Sequence, residues 1–170
     1  MDLKIHLRAL EKSDLTWLYL IENDQSLWKY SNTISPYSFD LLKDYIKNSK
    51  RDIFDVKQLR MVISLEDKKG VGLVDLFDFR PEHKRAGIGV IVDKEFHNKG
   101  IAKKALQLLE IWAKEKLQLH QLYTYIAEEN LKSINLFKSL GYIEIGLKND
   151  WNFYEGKYNN EYTFQKILNE

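Results

Sequence analysis

The sequence has no cysteine. That excludes disulfides, thiolate nucleophiles, iron–sulfur clusters and cysteine-ligated zinc together, and it suits a reducing compartment. A bulk charge of one sign is missing too: 26 Lys and Arg against 25 Asp and Glu leave a formal net charge of +1. No such field draws the chain to nucleic acid or to an anionic membrane. Long apolar runs are also absent. No stretch approaches the roughly 18 residues of a transmembrane helix, and the opening MDLKIHLRAL lacks the apolar run of a signal peptide. No set of histidines and carboxylates shows metal-ligand spacing, so no metal is expected. These absences lead us to expect a cytoplasmic protein with neither a nucleic-acid nor a membrane partner.

What is present is the composition of an ordinary globular chain. Its 170 residues, 44% apolar and 30% charged, suffice for one domain with a sizeable core, expected over 1–170. Leu3, Ile5 and Leu7 alternate with Lys4, His6 and Arg8, the pattern of a half-buried strand. Ser13 or Asp14 caps a helix carrying Leu15, Leu18, Tyr19 and Ile21. Residues 24–37 show no regular period, and 39–48 read as a short helix. Residues 60–65 and 71–78 form a hairpin about Asp67 to Gly70. Polar residues 80–85 lead to a strand at 86–93. A helix over 100–117 sets Ala102, Ala105, Leu106, Leu109, Trp112, Ala113 and Leu117 at steps of three and four. A strand at 121–127 follows, then a helix from Asn130 to Leu140 that Gly141 ends. Strands over 142–167 meet at a turn around Glu155 to Lys157. This order predicts an α+β layout with one βαβα unit rather than a doubly wound sheet.

The most informative stretch is Glu95 to Lys103 (EFHNKGIAK), between the strand at 86–93 and the helix at 100–117. A small-residue turn that opens a helix presents consecutive backbone N–H groups at the positive end of the helix dipole. That is the physical requirement of a pyrophosphate site. Lys99, Lys103 and Lys104 gather at the same end. Cations there oppose the dipole unless an anion sits among them. They are either three solvated lysines or part of the site of a phosphate-rich ligand.

The order of elements, the turn at 97–102 (HNKGIA) and the stretch from Asn130 to Tyr142 (NLKSINLFKSLGY) together resemble the GNAT superfamily of acetyl-CoA-dependent N-acetyltransferases. Residues 72–93 (GLVDLFDFRPEHKRAGIGVIVD) and 153–160 (FYEGKYNN) are similar to the branch holding bacterial spermidine and ribosomal-protein N-acetyltransferases. The resemblance implies an α+β GNAT fold, with a mixed central β-sheet flanked by helices and splayed between the strands at 86–93 and 121–127. It implies acetyl-CoA as cosubstrate. The pantetheine arm would run along Val90, Ile91 and Val92, with Asn130, Ser133 and Phe137 on its other side. The diphosphate would lie at His97, Asn98, Lys99, Gly100, Ile101, Ala102 and Lys103. Gly100 and Ala102 match the family's turn pattern. His97 stands where Gln or Arg is usual, and Asn98 where Gly is common, though Asn tolerates a left-handed backbone. Backbone N–H groups make most contacts in such a turn, so these departures should weaken it little. Asn130 fits both a bond to a pantetheine amide and a helix N-cap. Family relatives form dimers and larger rings, so a homo-oligomer is also expected.

The implied reaction is attack of a primary amine on the acetyl thioester. An alkyl ammonium has a pKa near ~10.4, so only about one in a thousand is neutral at pH 7, and a base or water chain must remove a proton. A backbone N–H on the strand at 88–92 is the expected oxyanion donor. Some family members carry a glutamate on this strand, but AGIGVIV has none. Asp75 and Asp78 are the nearest candidate bases; three residues apart on an ideal strand, they point to opposite faces. The departing thiolate raises a second question. Spermidine acetyltransferases carry a tyrosine at the position matching Phe137, and phenylalanine has no proton to give. Tyr142 lies about 500° further round a helix, on another face. Ser133, four residues before Phe137 and on its face, is the candidate at that end.

Acceptor specificity is expected, by the resemblance, from residues 24–40, 80–85 and the final hairpin. The spermidine enzymes are acid-rich where this chain reads TISPYS at 33–38, which argues against a polyamine. Trp28, Tyr30, Tyr37, Trp151 and Tyr154 form either an aromatic wall for a cation or ordinary core. The leading expectation is an N-acetyltransferase acting on the primary amine of a small molecule or a protein N-terminus. The alternatives are a spermidine or polyamine N-acetyltransferase and a GNAT-fold module that binds CoA but turns over weakly.

Overall fold

The computed structural model describes residues 4–168; Leu3, read above as the first apolar position of a strand, lies outside them. A seven-stranded mixed sheet runs in the spatial order β1-β2-β3-β4-β5-β7-β6. β1 (Ile5–Arg8), β2 (Leu59–Leu65), β3 (Gly70–Arg80) and β4 (Arg85–Val92) pair antiparallel. β5 (Gln121–Ala127) lies parallel to β4. β7 (Lys157–Ile167) and β6 (Ile143–Tyr154) extend the sheet antiparallel from it. A parallel step needs a crossover, and α5 (Ile101–Leu117) supplies it.

Strand alternation sorts the side chains onto two faces. On one, Val62, Leu73 and Ile91 pack against Leu18 and Ile21 of α1 (Leu15–Glu22) and Leu42 and Ile46 of α3 (Phe39–Asn48). On the other, Val74, Leu76, Ile88, Leu122 and Phe164 join Ala105, Leu106 and Leu109 of α5 and Ile134 and Phe137 of α6 (Leu131–Ser139). The apolar stripe of α5 has one exception. Glu110 is buried within it, and its Oε2 accepts a hydrogen bond of 2.6 Å from Lys166 Nζ. Without that partner the buried charge would be strongly destabilising.

Side-chain caps open α3 and α6 but not α1, where Asp14 makes no cap bond to the helix and instead accepts from Arg8 and the Glu11 N–H. Ser38 Oγ accepts the Leu41 N–H at the start of α3, and Asn130 Oδ1 accepts the Ser133 N–H at the start of α6. Two helices depart from the sequence expectation: α2 (Gln25–Ser31), capped by Asp24, and α4 (Ile53–Val56), capped by Asp52. Neither buries a side chain, so no apolar period marks them. Among the described residues no helix is long and apolar enough to cross a membrane.

Candidate active site

β4 and β5 pair only at Arg85–Gln121, Ala86–Leu122 and Gly87–Tyr123. Beyond Gly87 the two strands part. Neighbouring bonds fix which way the β4 backbone points. On the β3 side, Asp93 N–H donates to Val71 O at 2.9 Å; on the β5 side, Lys84 O accepts from His120 N–H at 2.7 Å. Alternation then turns the N–H and C=O groups of Ile88, Val90 and Val92 away from β3, and those of Gly87, Gly89 and Ile91 towards it. The last β4–β5 pair takes the Ile88 N–H and His97 takes the Val92 C=O, which leaves the Ile88 C=O, both groups of Val90 and the Val92 N–H to the gap. Backbone groups in the middle of a sheet need partners. The gap is therefore shaped for an extended chain that carries amides of its own.

A cleft of about 1020 Å3 follows the gap. Every residue that the sequence suggested for the cosubstrate lines it except Lys99. The Lys99 ammonium folds back on the turn, donating to Glu95 O at 3.0 Å and lying 4.9 Å from the Phe96 ring centroid. At one end of the cleft the backbone is left-handed at Asn98 (φ 60°) and Gly100 (φ 74°). A Cβ on Gly100 would meet no atom within 4 Å, so conformation rather than crowding calls for glycine there. The first α5 bond runs from Lys104 N–H to Gly100 O. The N–H groups of Ile101, Ala102 and Lys103 therefore have no acceptor within the helix and face outward at its positive end. His97 Nε2 lies 2.8 Å from Val92 O and ties the turn to the strand.

Across the gap, the Asn130 carbonyl oxygen makes the α6 cap, and its amide NH2 remains to donate to a ligand. Ser133 lines the cleft. Phe137, 3% exposed, packs edge-on against Tyr142 with ring centroids 5.0 Å apart. The Tyr142 hydroxyl is turned into the core, where burial first and then Glu110 push its pKa well above the ordinary value. Tyr142 therefore offers no proton to the cleft.

Simple strand alternation does not keep the two candidate aspartates apart, because a β-bulge intervenes and Asp78 reaches Tyr123 on the face that carries Asp75. Asp75 lines the cleft and Asp78 does not. Asp75 Oδ1 and Oδ2 accept from Arg60 Nε at 2.6 Å and Nη2 at 3.3 Å, while Arg60 Nη1 donates to Glu22. Burial works against the Arg60 charge, but Asp75 and Glu22 outweigh it and hold the guanidinium pKa above its usual value. Asp78 sits in a β-bulge with φ 45°. It accepts from Tyr123 Oη and Arg80 Nε, both at 2.8 Å. The Tyr123 bond is the main influence that lowers the Asp78 pKa; slight burial opposes it and Arg80 adds to it.

The opposite wall was not found from sequence. Glu161, 6% exposed on β7, pairs with Ala127 and with Lys148. It accepts from Lys148 Nζ at 2.6 Å and from Asn152 Nδ2 at 2.9 Å. Glu161, Asn152 and Tyr125 all line the cleft. Strand register places Asp75, Gly89, Tyr125 and Glu161 on one face of the sheet. Gly89, whose Cβ would meet nothing within 4 Å, is the floor between two walls. Asp75 and Arg60 stand on one side, Tyr125 and Glu161 on the other. Of the aromatic residues suggested above, Tyr30 lines the cleft and Tyr37 packs into the α1–α3 cluster. Trp28 Nε1 donates to Glu22 O at 3.0 Å, Trp151 lies against Lys148, and Tyr154 is outside the cleft. The available signals were an arginine opening the apolar run RMVISL and a glutamate inside the strand YNNEYTF.

Comparison with known proteins identifies the family. The acetyltransferase (GNAT) domain family matches residues 4–143. The spermidine N(1)-acetyltransferase of Vibrio cholerae is 28% identical across 93% of this chain and 90% of its own length. That of Escherichia coli K12 is 30% identical across 92% and 82%. Among solved structures, the Vibrio cholerae spermidine N-acetyltransferase in complex with CoA and spermine is similar to this chain with a TM-score of 0.88. It is 27% identical and covers 96% of this chain and 95% of its own.

Proposed function

The chain belongs to the GNAT family and is an acetyl-CoA-dependent N-acetyltransferase; we propose that its acceptor is a single primary amine on a small molecule or a peptide N-terminus. Charge carries this reading of the acceptor. The two carboxylates of the cleft are each engaged by a cation of the chain itself, Asp75 by Arg60 and Glu161 by Lys148. A site for several ammonium groups needs carboxylates left over to pair with them, and residues 33–38 add none.

Acetyl-CoA supplies the thioester acyl group. The open edge of β4 around Val90 suits its amide-bearing arm, and the Val90 or Val92 N–H is the natural donor to the developing oxyanion. The N–H groups of Ile101, Ala102 and Lys103, with the Lys103 ammonium, suit its diphosphate. On the acceptor side we assign Asp75 to take the ammonium proton, because it faces the cleft and Arg60 fixes its orientation. The freed amine forms the N–C bond as the C–S bond breaks, and the second proton that the nitrogen then sheds goes through water to the departing sulfur or to solvent. The proton on Asp75 passes to solvent. Ser133 is suited to orient a water at the sulfur, although a thiol with a reference pKa near ~8.5 also leaves as the thiolate.

A polyamine acceptor is the second reading, favoured by the names of the relatives above. The deciding experiment is CoA-thiol release against spermidine, amino sugars, amino acids and peptides with free N-termini. Turnover of a monoamine or an N-terminus in preference to spermidine supports the reading. Preference for spermidine replaces it with the second. Acetyl-CoA binding with no turnover of any class points to a CoA-binding module.

A further inference from the structure

Lys148 occupies a place built for an ammonium ion. Its Nζ lies 4.0 Å from the Tyr125 ring centroid, 4.4 Å from that of Trp151 and 2.6 Å from Glu161 Oε1. Aromatic faces and a carboxylate converging on one cation are the chemistry by which amines are recognised. The cage is assembled by a break in strand register. Pairing of β6 with β7 slips between Lys148 and Asn152, Asp150 turns left-handed with φ 50°, and its N–H donates to Asn160 Oδ1 at 2.9 Å. That irregularity brings Trp151 to Lys148 and Asn152 Nδ2 to Glu161 Oε2. Tyr125, Asn152 and Glu161 also line the acceptor end of the cleft, so the cage and the cleft share walls.

We propose that Lys148 is a specificity-determining residue: its ammonium fills a cation cage at the acceptor end and denies that cage to a second ammonium on the acceptor. This rests on the reading of the cleft as an acetyl-transfer site. Glu161 is buried and needs a cation beside it. A tethered lysine supplies one at a high effective concentration, against which a free amine must compete. With Lys148 in place the enzyme takes monoamines as well as it takes diamines. Without it, the Glu161, Tyr125 and Trp151 cage binds the far ammonium of a diamine.

The test uses straight-chain diamines from diaminopropane to diaminooctane, each against the monoamine of equal length. Turnover is read by CoA-thiol release, and binding to the CoA-loaded protein by calorimetry. In Lys148→Met the diamine-to-monoamine ratio of kcat/KM should rise at least about tenfold for the best chain length, since a desolvated cation–carboxylate contact is worth more than ~1.4 kcal/mol. Adding Glu161→Gln to that variant should erase the gain. Lys148→Arg keeps the cage filled and should retain the wild-type ratio. Trp151, 57% exposed, permits a control safe for folding: Trp151→Leu removes a wall that the lysine and a diamine's ammonium would share, so alone it should leave the ratio near wild type, and in Lys148→Met it should reduce the gain. An unchanged ratio in Lys148→Met overturns the proposal, as does a wild-type enzyme that already prefers diamines tenfold. If no amine is turned over, the acetyl-transfer reading falls. Diamine binding to Lys148→Met but not to wild type would then still support the cage, and its absence would overturn it.

Discussion

Replacing Gly100 with alanine separates the cost of a strained backbone from the loss of a ligand contact. Gly100 has φ 74°, and a Cβ there meets nothing within 4 Å. The penalty is therefore conformational, about 1–2 kcal/mol for an L-residue held left-handed. For a chain of this length each kcal/mol lowers Tm by roughly 2–4 °C, so Gly100→Ala should melt about 2–8 °C below wild type. Gly156, in the turn between β6 and β7, is a matched control. Its φ is 78°, its Cβ also meets nothing, and it lies outside the cleft. Gly156→Ala should lose a similar amount of stability. Only Gly100→Ala should also lose affinity for acetyl-CoA, because its methyl stands where a diphosphate would approach the N–H groups of Ile101 and Ala102. One hydrogen bond to a charged group is worth about 1.5–3 kcal/mol, or roughly 10- to 100-fold in Kd. Thermal unfolding without ligand and calorimetric titration with acetyl-CoA provide the two readouts. Equal Kd values for the two variants would show that this turn does not hold the diphosphate.

Asp75→Asn should lower kcat/KM at pH 7 by about 100-fold for whichever acceptor turns over best. Its log kcat/KM should then climb with near-unit slope towards the amine pKa near ~10.4, because only pre-formed free amine reacts; a pH profile parallel to that of wild type removes Asp75 as the base. A Cβ on Gly87 would lie 2.1 Å from Phe77 Cε2, so Gly87→Ala should cost about 1–3 kcal/mol in urea unfolding. Gly89→Ala, two residues along the same face with open space at its Cβ, should leave stability nearly intact yet raise the acceptor KM; equal losses of stability would contradict the packing described. Burial works to raise the Asp14 pKa, but the Arg8 ion pair and the Glu11 N–H outweigh it, and the folded value lies below the ordinary 3.8. A depressed carboxyl pKa adds stability that is full above the unfolded value and is lost as pH falls through the folded one. The stability gap between wild type and Asp14→Asn should therefore narrow as urea midpoints are followed from neutral pH into the acid range, and a gap independent of pH would rule this out.

The segment from Arg85 to Leu117 was legible because each part of it leaves a local mark. A strand of small and β-branched residues, a turn with Asn98 and Gly100, and a helix with an apolar face all declare themselves within a few residues of sequence. The left-handed backbone at Asn98 follows from the tolerance of asparagine. The acceptor end left no such mark, because its residues meet through register. Arg60 reaches Asp75 across a hairpin whose pairing slips at Ile63 and Ser64. Glu161 reaches Lys148 next to a second slip. Bulges move a residue to the opposite face without changing the composition of the strand. α2 carries Tyr30 to the cleft and was missed for another reason: with no buried side chain, it has no period to read.

The three residue pairs joining β4 to β5 leave two strand edges unguarded in the middle of the sheet. An outer edge strand is commonly protected by lysine, proline or a bulge, because its open N–H and C=O row can template the strand of another molecule. Ile88 to Val92 and Thr124 to Ala127 carry no charge and no proline. On the proposed assignment of this gap, the nucleotide that reacts there would also cover an adhesive seam. Resistance of the protein to aggregation on warming or concentration should track how much of it is loaded with CoA.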